Sequence, residues 1–132
     1  MEKPKPGDIA WVDLTVGNAE EVRDFYREVA GWTAEAVDMG GYSDFNMKPG
    51  AESDPIAGVC HARGSNEGLP PQWMIYIVVD DLDRALRSVE GLGGAVLRPA
   101  GEPGGMGRFA VVRDPAGAVA ALYETAKGDG DG

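Results

Sequence analysis

The apolar positions of this 132-residue chain change period twice, in the same order each time. "IAWVDLTV" (9–16) alternates like a half-buried strand. A two-residue turn then leads into "AEEVRDFYREVAGW", where Val22, Phe25, Tyr26 and Val29 recur at helical spacing. "MIYIVVDDLDRALRSVEGLGG" (74–94) repeats the scheme, with Leu82, Ala85, Leu86, Val89 and Leu92 as its helical stripe. Asn18, with Glu21 three residues on, predicts an N-cap and capping box for the first helix, and Gly31 its stop. Asp81 predicts the second cap, and Gly93–Gly94 the second stop. Short strands follow each helix: 33–38, 42–47 and 56–62 in the first half, 95–98, 108–113 and 118–124 in the second. "DPAG" (114–117) is a turn with Pro second and Gly fourth, which suits type I geometry.

The chain is therefore two tandem βαβββ units, an α+β fold. An N-terminal arm (1–7) precedes a single domain over 8–125: first unit 8–62, linker "RGSNEGLPPQ" (63–72), second unit 73–125. The polar, glycine-rich tail 126–132 is expected to be disordered. One helix covers only one face of a four-stranded sheet, so the other face must be buried or enclose something. Two such sheets facing each other predict a half-open barrel with a cleft, the default ligand site. Strand alternation puts Val12, Leu14 and Val16 under the first helix and Trp11, Asp13 and Thr15 toward the cleft. It likewise turns Met74, Tyr76 and Val78, with Val119, Ala121 and Tyr123, toward the cleft.

A net charge of −10 disfavours nucleic acid and anionic membrane, both of which reward a basic face. No apolar run approaches membrane-spanning length, and "MEKPKPGD" holds no apolar signal core, so the expected location is the cytoplasm. The single cysteine, Cys60, allows no internal disulfide or multi-cysteine zinc site, and "IAGVCHA" suggests a buried core thiol.

"WVDLTV…AEEVRDFYREVAGW", "YIVVDDLDRALRSVEGLGGAV" and "GRFAVVRDPAGAVAALYE" resemble the vicinal oxygen chelate superfamily: glyoxalase I, bleomycin-resistance proteins, extradiol dioxygenases and relatives. The resemblance covers residues 8–125. It implies the glyoxalase/bleomycin resistance-like fold, commonly as a homodimer. It also implies a divalent metal held by four His, Gln or Glu side chains, two from each repeat, because an open cation site needs several converging N or O donors. Carried over position by position, those slots hold Trp11, Met74 (or Trp73, one residue away), Ala121, and the stretch Val59–His61, where the chain's only histidine is the one nitrogen donor. Asp13 and Asp44 are the carboxylates nearest the cleft face.

The expected site is therefore metal-free and without cofactor. Trp11, Asp13, His61, Met74, Tyr76, Ala121 and Tyr123 would bind a small organic molecule by area and stacking, for sequestration, resistance or a pathway role. The rival is an enzyme (lyase, isomerase or dioxygenase type) with an altered metal site, or a metal-free catalyst with Asp13 or His61 moving a proton. The structural alternatives are that Trp11, Met74 and Tyr76 fill a collapsed core, that Asp13 pairs with Arg63 or Arg108, and that His61 is a satisfied semi-buried residue. Trp32 is expected in the core, and "PAGEPGGMGR" (99–108) is either a lid or a plain connector.

Overall fold

A computed structural model describes residues 4–101 and 107–126. The element order is β1 (Ile9–Val16), α1 (Ala19–Ala30), β2 (Thr33–Asp38), β3 (Ser43–Lys48), β4 (Ala57–His61), β5 (Trp73–Val78), α2 (Leu82–Val89), β6 (Ala95–Arg98), β7 (Arg108–Arg113) and β8 (Val119–Glu124). Short 3₁₀ turns lie at Gly64–Asn66 and Glu90–Leu92. This is the doubled βαβββ order, α+β, and β2, β6 and β7 have the predicted bounds.

The chain forms two compact units, Trp11–Trp73 and the remainder, in which residues up to Ala10 join Met74 onward. The early segment joins the later unit through backbone pairing: Gly7 N–H donates to Val78 O (2.7 Å) and Val78 N–H to Asp8 O (2.8 Å).

In the unit Trp11–Trp73 the strands run β2–β3–β4–β1, antiparallel except for the parallel β1–β4 pair. Ala19, Phe45, Met47, Ala57 and Val59 form the core, with Val12, Val16, Val22, Tyr26, Trp32 and Trp73 packed on it. Burying these apolar surfaces is the main force holding α1 to its sheet. Tyr26, Trp32 and Trp73 pack ring against ring, with centroids 5.4–5.9 Å apart, and Trp73 Nε1–H donates to the Tyr26 hydroxyl (3.2 Å). Trp73 is thus a satisfied core residue, and Trp32 is in the core as expected.

The α1 stripe is narrower than its spacing predicts. Ala19, Val22 and Tyr26 face the core, whereas Phe25 and Val29 are 55% and 66% exposed. The predicted capping box also does not form. Asn18 has φ −116° and ψ 56°, not the extended backbone of a capping residue, and its Nδ2–H donates to Glu21 Oε1 (3.0 Å) rather than its oxygen accepting a helix N–H. Gly31 stops the helix as predicted, in the left-handed region at φ 74°.

In the second unit the order is β5–β8–β7–β6, with β5–β8 parallel and the rest antiparallel. Asp81 caps α2 as predicted, its Oδ1 accepting from Arg84 N–H (3.1 Å). The Asp114 turn closes with Gly117 N–H donating to Asp114 O (2.9 Å). Leu92, the last residue of the predicted stripe, falls in the 3₁₀ turn and is exposed. The predicted tail lies outside the described residues except for Ala126, as does much of the predicted lid or connector, at 102–106.

Candidate functional site

On β1, Val12 and Val16 meet the core under α1, so Trp11 and Asp13 take the opposite, helix-free face. Asp13 lies opposite Gly58 in the parallel register, and the Trp11 indole edge lies over the same glycine. Trp11 is half-buried and Asp13 is buried. The two arginines offered as partners for Asp13 make other contacts: Arg63 lies over the Tyr42 ring (3.9 Å) and Arg108 pairs with Asp83 and Glu124.

His61 takes a different place from the expected one. The alternation of β4 groups it with Ala57 and Val59, on the side where α1 packs. Its Nε2 lies 3.2 Å from Glu20 Oε1 on α1, and its Nδ1 lies 3.2 Å from Asp44 Oδ1. The same Asp44 oxygen accepts the His61 backbone N–H (2.8 Å). Ionised carboxylates only accept, so both ring contacts are hydrogen bonds at once only if the imidazole is doubly protonated or one carboxyl carries the proton. The ring also packs edge-on to Tyr42 (5.3 Å) and near Phe45 (6.2 Å), whose other neighbour is the Arg23 guanidinium (4.6 Å). The hydrogen bond with His61 holds the Glu20 carboxyl below its ordinary range.

Cys60 is half-buried rather than in the core. Burial pushes its thiol up to about 12, and the charges of Asp13 and Asp44 add to the shift. A thiol held that high carries almost no thiolate near neutrality, so Cys60 is no nucleophile.

In the second unit Tyr76 pairs with Ala121 and Val78 with Tyr123 across β5 and β8, placing these residues on one face. Glu124, of opposite parity, meets α2 by accepting the Leu82 N–H (2.9 Å). The helix-free face is filled at its middle, because Met74, Val78, Val111 and Ala121 are buried. Tyr76 and Tyr123 are half-buried, and the Tyr76 ring packs against Phe109 (5.5 Å). The site reading of the sequence passed over Phe109, yet its register opposite Tyr123 places it on this face.

The residues at the family's metal positions do not fit a chelated cation. An indole Nε1–H is a donor only, a thioether is a weak soft acceptor, and Ala121 offers nothing. Asp44 and Glu20 meet opposite edges of the His61 ring, so the three cannot converge on one ion. Among the described residues no three His, Cys, Asp or Glu side chains form a group that could hold a metal ion.

A model of the Glyoxalase/Bleomycin resistance protein/Dioxygenase superfamily matches residues 8–122. The chain belongs to this superfamily. It is 33% identical over 138 residues to the anthracycline biosynthesis protein DnrV of Streptomyces peucetius, covering 93% of this chain and 49% of that protein. It is 31% identical over 121 residues to CFP32 of Mycobacterium tuberculosis, named as a candidate glyoxylase, covering 91% of this chain and 46% of that one. The chain thus spans about half the length of the curated relatives it matches. Among solved structures it resembles a methylmalonyl-CoA epimerase (TM-score 0.55, 17% identity, 95% of this chain and 100% of that one). It also resembles the Mn(II)-bound glyoxalase of Novosphingobium aromaticivorans (TM-score 0.56, 21% identity, 94% and 42%). At such identities the likeness shows the fold, which is the superfamily's. No helix among the described residues is long and apolar enough to cross a membrane.

Proposed function

We propose that this superfamily domain binds a small planar organic molecule without a metal, as a cytoplasmic homodimer serving sequestration, resistance or a biosynthetic pathway. The observation that carries the reading is the donor chemistry of the family positions, which hold Trp11, Met74 and Ala121. Binding then rests on shape and stacking, and each unit carries an aromatic face of its own: the Trp11 indole beside the Asp13 carboxylate in one, and Tyr76, Phe109 and Tyr123 in the other. Met74 and Ala121 are buried and back the aromatic face of their own unit. Likeness to DnrV, with its anthracycline role, supports a polycyclic aromatic ligand.

The test is titration with an anthracyclinone, followed by tryptophan fluorescence, together with elemental analysis of the dialysed protein. Saturable binding that weakens in Trp11→Ala, with no stoichiometric metal, is the expected result. Absence of saturable binding, or one tightly held transition metal per chain, rejects the reading.

A second reading has an observation of its own. The Asp44–His61 contact is that of an oriented base, and CFP32 is named for a glyoxylase activity. Against it, both ring nitrogens of His61 already face carboxylates. If His61 or Asp13 moved a proton in catalysis, His61→Ala or Asp13→Asn would abolish turnover while sparing affinity. In a binding domain Asp13→Asn changes affinity alone, and His61→Ala, on the helix side, leaves it unchanged.

A further inference from the structure

Gly58 sits inside β4 with no backbone reason to be glycine. It is absent from the residues with positive φ, so any L-residue could adopt its conformation. Glycine within a strand weakens it, and one common reason to keep it there is a close approach from another group. A Cβ built on Gly58 would lie 3.2 Å from Asp13 Cβ, 3.4 Å from Trp11 Nε1 and 3.5 Å from Trp11 Cζ2. The distance to Asp13 is tight and those to the indole lie at van der Waals contact, so a side chain at 58 would press on one and touch the other of the two side chains assigned to the ligand in this unit.

We propose that Gly58 is the specificity-determining position of the ligand surface, because its missing side chain is the seat of the Trp11 indole and fixes the spacing of that indole from Asp13. This inference rests on the ligand-binding reading above and deepens it. With the indole edge seated on bare backbone, its placement depends on one side chain's volume at 58. A methyl group there presses on Asp13 and fills the space against the indole edge, so the Asp13–Trp11 spacing must readjust. A planar aromatic ligand, which stacks only on a ring at the right tilt and height, is the ligand class most sensitive to that change. Gly58 touches no ligand in this scheme. It is a positioning residue.

The experiment uses the full chain labelled with 5-fluorotryptophan, so that Trp11, Trp32 and Trp73 give three fluorine resonances, each assigned by a single Trp→Phe substitution. In Gly58→Ala the Trp11 resonance moves while those of Trp32 and Trp73 stay. Affinity for the anthracyclinone falls on the order of tenfold. In a Trp11→Phe background the same Gly58→Ala change alters affinity by roughly twofold or less, because the group it displaces is gone. If wild-type protein binds the probe and Gly58→Ala leaves both the Trp11 resonance and the affinity unchanged, this inference alone is overturned. If wild-type protein binds no probe, the ligand reading and the specificity role fall together. Should Gly58→Ala fail to fold, recovery of the fold on adding Trp11→Ala supports the seat, and no recovery overturns it.

Discussion

Each βαβββ unit fastens its helix to its sheet with a chain of three polar side chains, helix carboxylate to basic side chain to strand carboxylate, but the base and the last carboxylate exchange strands between the two units. In the first unit Glu20, from the opening turn of α1, meets His61 on β4, which meets Asp44 on β3. In the second, Asp83 from the opening turn of α2 meets Arg108 on β7, which meets Glu124 on β8. The helix carboxylates are exposed to the same degree, 61% and 62%, while the strand carboxylates are buried. Each buried carboxylate also accepts a backbone N–H, that of His61 or of Leu82. The middle link differs. Arginine keeps its charge at any working pH, whereas histidine carries one only when protonated. The last link differs too, because Glu124 grips the helix backbone itself and Asp44 grips only a strand. The second fastening should therefore be the stronger and the less dependent on pH.

The largest effect is expected at Glu124. Replacing it with Ala leaves the fully buried Leu82 with an unpaired N–H at the start of α2 and removes a carboxylate from Arg108. Orphaning that buried donor costs up to about 3 kcal/mol, and losing the Arg108 contact adds a smaller, water-screened contribution. Urea unfolding should show that loss, and nearly the same loss at pH 6 and pH 8. A loss under about 1 kcal/mol would mean water replaces Glu124 at the helix end.

These fastenings were the part of the molecule least legible in the sequence. Strand and helix periods, the Asp81 cap, the Gly31 stop and the Asp114 turn all depend on residues a few positions apart, and the chain shows them in its pattern. Glu124 reaches Leu82 over 42 residues and His61 reaches Glu20 over 41, distances at which periodicity is silent. His61 was placed in the cleft because the family's remaining donor slot falls on Val59–His61, where it is the one nitrogen donor. Its parity with Val59 was the signal that it turns toward the helix instead. Phe25 and Val29 were misplaced for a related reason: an i, i+4 apolar pair marks a ridge, but small Ala19 with Val22 and Tyr26 sets which ridge is buried. The metal positions, by contrast, were legible as residue types, since the chemistry of an indole or a methyl group needs no coordinates.

The first fastening predicts a smaller loss with a second readout. In Asp44→Ala the His61 backbone N–H loses its acceptor and the ring loses one partner, a cost of about 2 kcal/mol. Asp44 is also one of the groups that, after burial itself, hold the Cys60 thiol up at about 12. Ultraviolet thiolate absorbance across an alkaline titration should show Cys60 ionising lower in the variant. A thiol raised in the folded state contributes stability that is complete below its unfolded value and is lost as pH rises toward 12. Asp44→Ala should therefore soften that alkaline loss, and an unchanged Cys60 titration would show that burial and the Asp13 charge set the shift without Asp44.

The smallest effect separates the two helix carboxylates. Glu20 is held below its ordinary range chiefly by its hydrogen bond with His61. A carboxyl depressed by folding stabilises the protein above its unfolded value, and that contribution is lost as pH falls through the folded one. The window is thus acidic. Carbon-detected NMR of the Glu20 carboxyl in His61→Gln should show the curve moving up toward an ordinary glutamate, because the imidazole whose hydrogen bond holds it down is gone. The stability change should fall below those at Glu124 and Asp44, since an exposed carboxylate is screened by water. Asp83 in the same variant should titrate as before, because Arg108 belongs to the other chain of contacts. A Glu20 curve that stays put would leave the His61 contact without energetic consequence, and the likeness between the two fastenings would then be one of geometry alone.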